Sequence, residues 1–226
     1  MILIRPHTFI ETPAENLRGM LGRIESAGRV CYKSEAIMTE FTAPVFVANL
    51  IKRGHESVLE HESLTIRFVC DRGVSHELVR HRLAAFSQES TRYCDYNKGH
   101  VTFVIPPWVK IRPQTYADYS QVEGWNPESG VGDLIWVSSM INAEIFYNKL
   151  RTNGAWAPQE ARSVLPNSLK TEVVMTANLR EWRHVLKLRA SAAAHPQMRE
   201  LIRPLLQELR TKVPIVFDDV PDGEGK

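Results

Sequence analysis

Residues Arg80 to Tyr93 combine, in one short stretch, the side chain types that bind anions. Three arginines, one histidine and four hydroxyl groups surround an apolar patch at residues 83–86. Glu89 is the only acid among them, whereas a solvated helix face carries charges of both signs in i,i+4 pairs. The composition therefore predicts a binding site for an anionic ligand.

Arginines later in the chain extend this prediction, and the full set of candidates is Arg80, Arg82, Arg92, Arg162, Arg180 and Arg189. Each can form a charge-assisted hydrogen bond worth roughly 1.5 to 3 kcal/mol. The alternative for any one of them is a surface arginine that covers apolar neighbours. The sequence has neither a P-loop lysine motif nor GxGxxG, so it does not indicate a nucleoside triphosphate or a Rossmann-bound dinucleotide.

The histidines and the possible nucleophiles point less clearly to chemistry. Glu56 follows His55 but no histidine stands four residues after it, so the HExxH zinc motif fails and we predict no bound metal. Ser90 lacks the GxSxG context of a hydrolase, and Cys94 has no partnering motif. Ser90 therefore either caps a turn or binds a phosphate beside Arg92.

A predicted strand, turn and helix must position the stretch. Residues 64–70 alternate between apolar and polar or smaller side chains, which indicates a half-buried strand. We predict a turn at 71–73, a helix over 74–83 and a loop over 87–93. Three consecutive residues on a helix point about 100° apart, so Arg80 to Arg82 would contact different parts of a large ligand unless the helix unwinds there.

The remaining elements follow from periodicity and caps. We predict an edge strand at 2–4 and further strands at 101–105 and 171–175. One helix begins at Pro13, and five others cover 38–52, 133–150, 158–166, 178–190 and 196–212. Ser57 to Glu60 and Asn178 to Glu181 have the spacing of capping boxes. We predict one domain over 1–217, with a variable loop at 106–130 and a frayed acidic tail at 218–226.

Composition excludes several classes of protein. The chain has 226 residues, a net charge of +2 and a pI near 8.4, which is too mild for a protein whose main partner is duplex nucleic acid. Its three cysteines form no CxxC pair, which argues against a disulfide framework. No segment has the pattern of a signal peptide or the length of a membrane span, so we expect a cytoplasmic protein without a membrane partner.

The motif Arg80-His81-Arg82, seven further residues and Ser90, followed by Arg92-Tyr93, resembles the signature of the flavin-dependent thymidylate synthases. The resemblance extends over about residues 10–215 and includes the segments 54–61, 161–166, 178–184 and 188–190. It implies an α/β fold of the α+β type, with a mixed or antiparallel sheet flanked by long helices. It also implies a homotetramer whose active sites draw residues from several chains.

The implied reaction is the reductive methylation of dUMP to dTMP. By this resemblance, NADPH reduces a bound FAD, and 5,10-methylenetetrahydrofolate donates the one-carbon unit and leaves as tetrahydrofolate. The residues that resemble flavin ligands are His55, Ser57, Arg80, His81, Arg82, Gln88, Asn178, Arg180 and His184. The residues that resemble dUMP ligands are Glu77, Arg80, Gln88, Glu89, Ser90, Thr91, Arg92, Arg162 and Arg189.

The resemblance gives Arg189 and Ser90 the catalytic roles. Arg189 is similar to an arginine at the uracil edge, where a cation favours the N3-deprotonated base. One charge-assisted bond of about 1.5 to 3 kcal/mol would shift that ionisation by about one to two pKa units. Glu77 departs from the usual family pattern, in which a glutamine is frequent at this position. Because a carboxylate would repel a phosphate beside it, pairing with Arg80 or Arg92 is its alternative role.

Two other functions are compatible with the residues alone. The first is a nucleotide or single-stranded nucleic-acid binder, in which the arginines act together with stacking side chains at Phe86, Tyr93 and Tyr96. The second is a metal hydrolase that uses the histidines. A yellow protein that bleaches with NADPH would favour the flavin enzyme over both.

Overall fold

The structure is a computed structural model that describes residues 1–116 and 130–223. Its chain divides into two compact units, each assembled from separate segments of sequence. The first unit contains Met1–His7, Phe68–Arg80 and Ser87–Val173, and the second contains Thr8–Arg67, His81–Phe86 and Val174–Lys226. The single domain over 1–217 stays a prediction.

The described chain contains both helices and strands. The strands are β1 (Ile2–Ile4), β2 (His7–Ile10), β3 (Ser63–Asp71), β4 (Ala84–Gln88), β5 (Thr102–Val104), β6 (Gln114–Thr115) and β7 (Lys170–Asn178). The α-helices are α1 (Ala14–Val30), α2 (Ala43–Lys52), α3 (Arg72–Leu78), α4 (Val131–Thr152), α5 (Pro158–Ala161), α6 (Leu179–Ala190) and α7 (Pro196–Lys212). Short 3-10 helices lie at Glu35–Ile37, Glu56–His61, Tyr96–Lys98 and Arg162–Val164.

The strands form two sheets. One has the order β5-β1-β6, in which β1 runs parallel to β5 and antiparallel to β6, and the other has the order β2-β3-β7-β4. Helices beside a mixed sheet confirm the predicted fold class. The prediction of an edge strand at 2–4 is wrong, because β1 is the central strand of its sheet and its two partners lie about a hundred residues later in the chain.

The first unit has a core between β1, β5 and the long helix α4. Val137, Met140, Ala143 and Tyr147 form the buried side of α4. Ile145 lies on another side of the helix and is 40% exposed. A long helix with apolar residues on several sides does not reveal from its period alone which side meets the core.

The second unit contains α1, α2, α6 and α7. Helix α2 begins at Ala43 and not at Met38, since Pro44 favours the first turn of a helix. It ends before Gly54, whose φ of +74° is the left-handed conformation that glycine adopts readily. The capping box predicted for Ser57 is wrong, because Glu56–His61 is a 3-10 helix whose cap is His55, without a side chain bond.

The stretch Arg80 to Tyr93 differs most from its prediction. Helix α3 ends at Leu78, five residues before the predicted end at Leu83, and residues 84–88 form β4, whose last two residues we predicted as loop. Arg80, His81 and Arg82 therefore lie in a connection, and the argument from helical spacing does not apply to them. The apolar patch pairs with β7 in the sheet, and directly after it the Glu89 amide donates to the Glu172 carbonyl at 2.9 Å.

Residues 106–130 and 218–226 fall partly outside the described chain. In the first segment the structure describes residues 106–116, which include β6, and residue 130. Residues 117–129 lie outside the description. In the second, Val220 is buried and the Asp219 carboxylate lies 2.6 Å from Arg183, while residues 224–226 are outside the description. Among the described helices, none is both long and apolar enough to cross a membrane.

Trp182 anchors α6 in the second unit. Its ring is fully buried, and its Nε1 donates a hydrogen bond to the Leu64 carbonyl at 3.0 Å. We expect Trp182→Phe to lower the free energy of unfolding by about 1 to 3 kcal/mol, because the carbonyl loses its buried donor. Trp182→Ala removes the packing as well and should cost about 3 to 5 kcal/mol, measured by urea denaturation followed by circular dichroism.

Trp156 provides the control for that prediction, since it is 42% exposed. Trp156→Ala should change the free energy of unfolding by less than about 1 kcal/mol. If the Trp182 and Trp156 variants lost similar stability, Trp182 would not be the anchor of α6.

Candidate active site

Helix α6 positions most of the predicted residues of the second unit. The Asn178 side chain caps it by accepting a hydrogen bond from the Glu181 amide at 2.8 Å. Trp182, Val185 and Leu186 are buried and face the core. Arg180 and His184 are exposed, and Arg189 is half-buried near the end of the helix.

His81 meets two residues of α6, in an arrangement that we call the buried triad: Glu181, His81 and Arg189. Arg189 Nε donates to His81 Nε2 at 3.1 Å, and Glu181 Oε1 lies 3.5 Å from His81 Nδ1. Only 5% of His81 and 8% of Glu181 are exposed. The sequence assigned His81 and Arg189 to a binding site, and the structure brings these two side chains into contact.

The His81 ring is held neutral. Burial lowers the pKa of His81 to about 4, with further contributions from the Arg189 guanidinium and from His184, whose ring lies 5.8 Å away edge-on. A neutral ring is also what the contact with Arg189 requires, because the guanidinium can only donate. At neutral pH, His81 is therefore an uncharged acceptor beside a permanent cation.

A groove of about 840 Å³ lies beside α6 in the second unit. Asn178, Arg180 and His184 line it, and these three were predicted as flavin ligands. Charges of both signs surround them, since Arg180 Nη1 lies 2.6 Å from Glu60. A cavity of this volume suits a ligand of cofactor size.

Four other predicted flavin ligands of the second unit lie outside the lining of this groove: His55, Ser57, His81 and Arg82. His55 and Ser57 stand at the start of the 3-10 helix Glu56–His61, and both are exposed. His55 Nδ1 is 3.4 Å from the Tyr32 hydroxyl. Arg82 is exposed in the connection before β4.

Arg183 also lines the groove and was missed by the sequence reading. Its guanidinium contacts Glu56 at 3.0 Å, Asp219 at 2.6 Å and the Val216 carbonyl. It therefore joins α6 to the chain after α7. The sequence offers no signal for this role, because an arginine on a helix usually faces solvent.

In the first unit, four predicted dUMP ligands come together after β4. Arg162 Nη1 donates to the Thr91 hydroxyl at 2.9 Å, and the Arg92 amide donates to the Ser90 hydroxyl at 3.3 Å. Both guanidinium groups are exposed, and neither forms an ion pair with a carboxylate among residues 1–116 and 130–223. We call Ser90, Thr91, Arg92 and Arg162 the anion cluster.

Glu89 is already engaged within the protein. Its carboxylate accepts from the Tyr96 hydroxyl and from Lys170, both at 2.9 Å. Burial and the Glu89 charge raise the pKa of Tyr96 well above its usual value. Direct dUMP binding by Glu89 stays a prediction, and its contacts already tie the anion cluster to β7.

The other predicted residues of the first unit lie around α3 and β4. Gln88 Nε2 donates to Ser75 at 2.9 Å and to Thr171 at 3.3 Å, which fixes its amide against two buried hydroxyl-bearing residues. Glu77 is half-buried on α3. Arg80 is exposed directly after α3, so its guanidinium can reach a ligand.

The ring nitrogens of His81 and His184 and the Glu181 carboxylate lie within 4.8 Å of one another, as metal ligands would. His81 Nε2, however, already accepts a hydrogen bond from Arg189. A guanidinium in that position repels a second cation. The three side chains therefore suit an organic ligand better than a metal ion.

Comparison with known proteins decides the family. Residues 15–215 match the family described as thymidylate synthase complementing protein. The chain belongs to the flavin-dependent thymidylate synthase family. It is 34% identical over 217 residues to the flavin-dependent thymidylate synthase of Mycobacterium sp. strain JLS, covering 92% of this chain and 82% of that relative. It is 36% identical over 199 residues to the same-named protein of Mycobacteroides abscessus, covering 87% of this chain and 78% of that one.

Solved structures show the same fold. Thymidylate synthase X from Helicobacter pylori, crystallised with FAD and dUMP, aligns with a TM-score of 0.72 and 21% identity over 97% of this chain and 100% of that one. The UMP/dUMP methylase PolB from Streptomyces cacaoi, bound with 5-Br UMP, aligns with a TM-score of 0.69 and 20% identity over 96% of this chain and 95% of that one. At these identities the alignments show that the two proteins share the fold of this chain.

Proposed function

We propose that this protein is a flavin-dependent thymidylate synthase, which converts dUMP to dTMP with a bound FAD. Its membership of the family carries the proposal, because relatives of about a third sequence identity over most of both chains bear that name. We also propose that NADPH is the reductant and that 5,10-methylenetetrahydrofolate is the carbon donor.

The groove of the second unit has the donors that FAD requires. The positive N-terminal end of α6 and Arg180 are suited to the pyrophosphate, and His184 and Asn178 can hydrogen-bond to the rest of the cofactor. We propose that His55, Ser57, His81 and Arg82 also bind FAD, as do Arg80 and Gln88 of the first unit. When bound and reduced, the flavin supplies the hydride of the reaction.

The anion cluster is suited to the dUMP phosphate. Arg92 and Arg162 provide two charges, and Ser90 and Thr91 provide hydroxyl groups that can donate to phosphate oxygens. The Thr91 contact holds Arg162 in place before a ligand arrives, which reduces the entropy lost on binding. We propose that Ser90 orients the substrate through a hydrogen bond, without a covalent role.

We propose that Arg189 acts at the uracil ring. Its permanent charge stabilises the base after loss of the N3 proton, and that anion is the better nucleophile for the one-carbon unit. Because His81 is neutral, it adds no competing positive charge to the same place. The half-buried setting of Arg189 strengthens its effect on the substrate relative to an arginine in water.

We further propose a cytoplasmic homotetramer whose active sites draw residues from several chains. Large apolar side chains that are exposed in this single chain, including Phe41, Val45, Val131 and Ile135, give such an assembly surface to bury. All three cysteines are free thiols, which suits a reducing compartment.

The test of function is a complete reaction with the purified protein. We expect a yellow protein whose flavin absorbance bleaches with NADPH and recovers when dUMP and 5,10-methylenetetrahydrofolate are added, with dTMP detected by mass spectrometry. Omission of dUMP is the control and should leave no dTMP. A colourless protein that neither binds added FAD nor forms dTMP would reject the proposal.

A further inference from the structure

Glu181 is the one member of the buried triad without a role in the proposed reaction. It is the third residue of α6, where a glutamate often bonds back to the amide of the capping residue. In this protein its carboxylate lies against His81 Nδ1, while the cap itself is made by the Asn178 side chain. Burial of a carboxylate is unfavourable without such a partner, so the contact with His81 requires an explanation.

The hydrogen bond from Arg189 indicates which nitrogen of His81 carries the proton in the folded protein. An arginine Nε can only donate, so His81 Nε2 must present its lone pair. In a neutral ring the proton then sits on Nδ1, the nitrogen that faces Glu181 at 3.5 Å. This distance is longer than that of an ideal hydrogen bond. The negative charge of the carboxylate nevertheless favours the tautomer with the proton on Nδ1 over the tautomer with the proton on Nε2.

We propose that Glu181 is a positioning residue of the proposed reaction, which holds His81 in its Nδ1-protonated form so that Nε2 fixes the orientation of Arg189. The inference rests on the proposed function, since it assigns Arg189 to the substrate. In the other tautomer an N–H of His81 would face the N–H of Arg189, and the two donors would repel each other. The guanidinium would then turn away from its productive orientation.

The consequence is a defect in the chemical step with intact binding. Loss of the Glu181 acceptor should lower kcat about 10- to 100-fold, the range expected when a buried donor or acceptor loses its partner. The KM for dUMP should change less than about 3-fold, because the anion cluster that is proposed to bind the phosphate is unaffected. Glu181 also lines the groove proposed for FAD, so bound flavin per protein chain is measured for each variant, and we expect it to stay unchanged.

Two variants of Glu181 separate positioning from packing. Glu181→Leu has a similar volume but no acceptor, whereas Glu181→Gln keeps an oxygen that can accept from Nδ1. We expect Glu181→Gln to recover most of the kcat that Glu181→Leu loses. Glu208→Leu, on the solvent side of α7, is the matched control and should keep the wild-type kcat.

The tautomer can be measured directly without any turnover. In protein labelled with ¹⁵N-histidine, NMR should show the Nδ1-protonated form for His81 at neutral pH, assigned by its absence in His81→Gln. Glu181→Leu should move that signal toward the Nε2-protonated form. A wild-type His81 protonated on Nε2 would overturn the inference, as would a Glu181→Leu variant with unchanged tautomer and kcat.

These measurements also distinguish a failure of the proposed reaction from a failure of the positioning role of Glu181. If wild-type protein formed no dTMP but His81 showed the expected tautomer and shift, the proposed function would fail and the positioning contact would stand. If Glu181→Leu did not fold, the tautomer of His81 in the wild-type NMR spectrum and the kcat of Glu181→Gln would test the role of Glu181. Equal loss of kcat in Glu181→Gln and Glu181→Leu, with an Nε2-protonated ring, would reject the role of Glu181.

Discussion

We expect Arg189→Ala to lose most of its dTMP formation while the protein keeps its flavin. The substitution removes the cation proposed to stabilise the deprotonated uracil, and with it the donor to His81. One charge-assisted bond of about 1.5 to 3 kcal/mol corresponds to roughly 10- to 150-fold in rate, and loss of the His81 contact adds to this. We therefore expect kcat to fall by about 100-fold or more, measured as dTMP formed per minute by chromatography.

The flavin content distinguishes this role from a role in cofactor binding. The ratio of flavin to protein absorbance should equal that of the wild type, and Arg189→Lys should retain more activity than Arg189→Ala because it keeps the charge. Arg18→Ala, an exposed arginine on α1, is the matched control and should be fully active. Loss of flavin from Arg189→Ala would instead place Arg189 among the cofactor ligands.

We expect Arg162→Ala to raise the KM and the dissociation constant of dUMP about 10- to 100-fold. The variant removes one of the two guanidinium groups of the anion cluster, and a charge-assisted bond to phosphate is worth about 1.5 to 3 kcal/mol. Calorimetric titration of dUMP into the flavin-loaded protein measures the effect directly. The kcat at saturating dUMP should change much less, since Arg162 is not proposed to contact the reacting ring.

The partner of Arg162 offers a graded version of the same test. Thr91→Val removes the hydroxyl that holds the guanidinium, and we expect a weaker loss of dUMP affinity, about 2- to 10-fold. Arg112→Ala, an exposed arginine of the same unit, should bind dUMP normally. A dUMP affinity that is unchanged in Arg162→Ala would show that the anion cluster does not bind the phosphate.

Local signals in the sequence predicted most elements of the fold. The alternation of residues 64–70 and the cap at Asn178 correspond to β3 and to the start of α6. Predictions failed where a distant segment decides the structure. β1 became a central strand because β5 and β6 pair with it, and the predicted helix over 74–83 ends at Leu78, followed by β4 beside β7.

The candidate site shows the same division. The residue types of the anion cluster predicted an anion site, and the structure brings Thr91 and Arg162 together although they are 71 residues apart. Glu181 was interpreted as a capping residue because its spacing from Asn178 explains it completely at the level of the helix. Only the packing of the connection at His81 against α6 shows that its carboxylate has another partner.

The sequence by itself determined the family of this protein, the set of arginines that we propose to bind anions, and the starts of helices such as α6 and α7. Those properties depend on residue type and on neighbours within a few positions, so a linear pattern preserves them. The tertiary structure alone decided which atoms face each other, including the contacts of His81 with Arg189 and Glu181. Such contacts join residues about a hundred positions apart, and the free energy that selects them comes from burial and pairing, which no local spacing records.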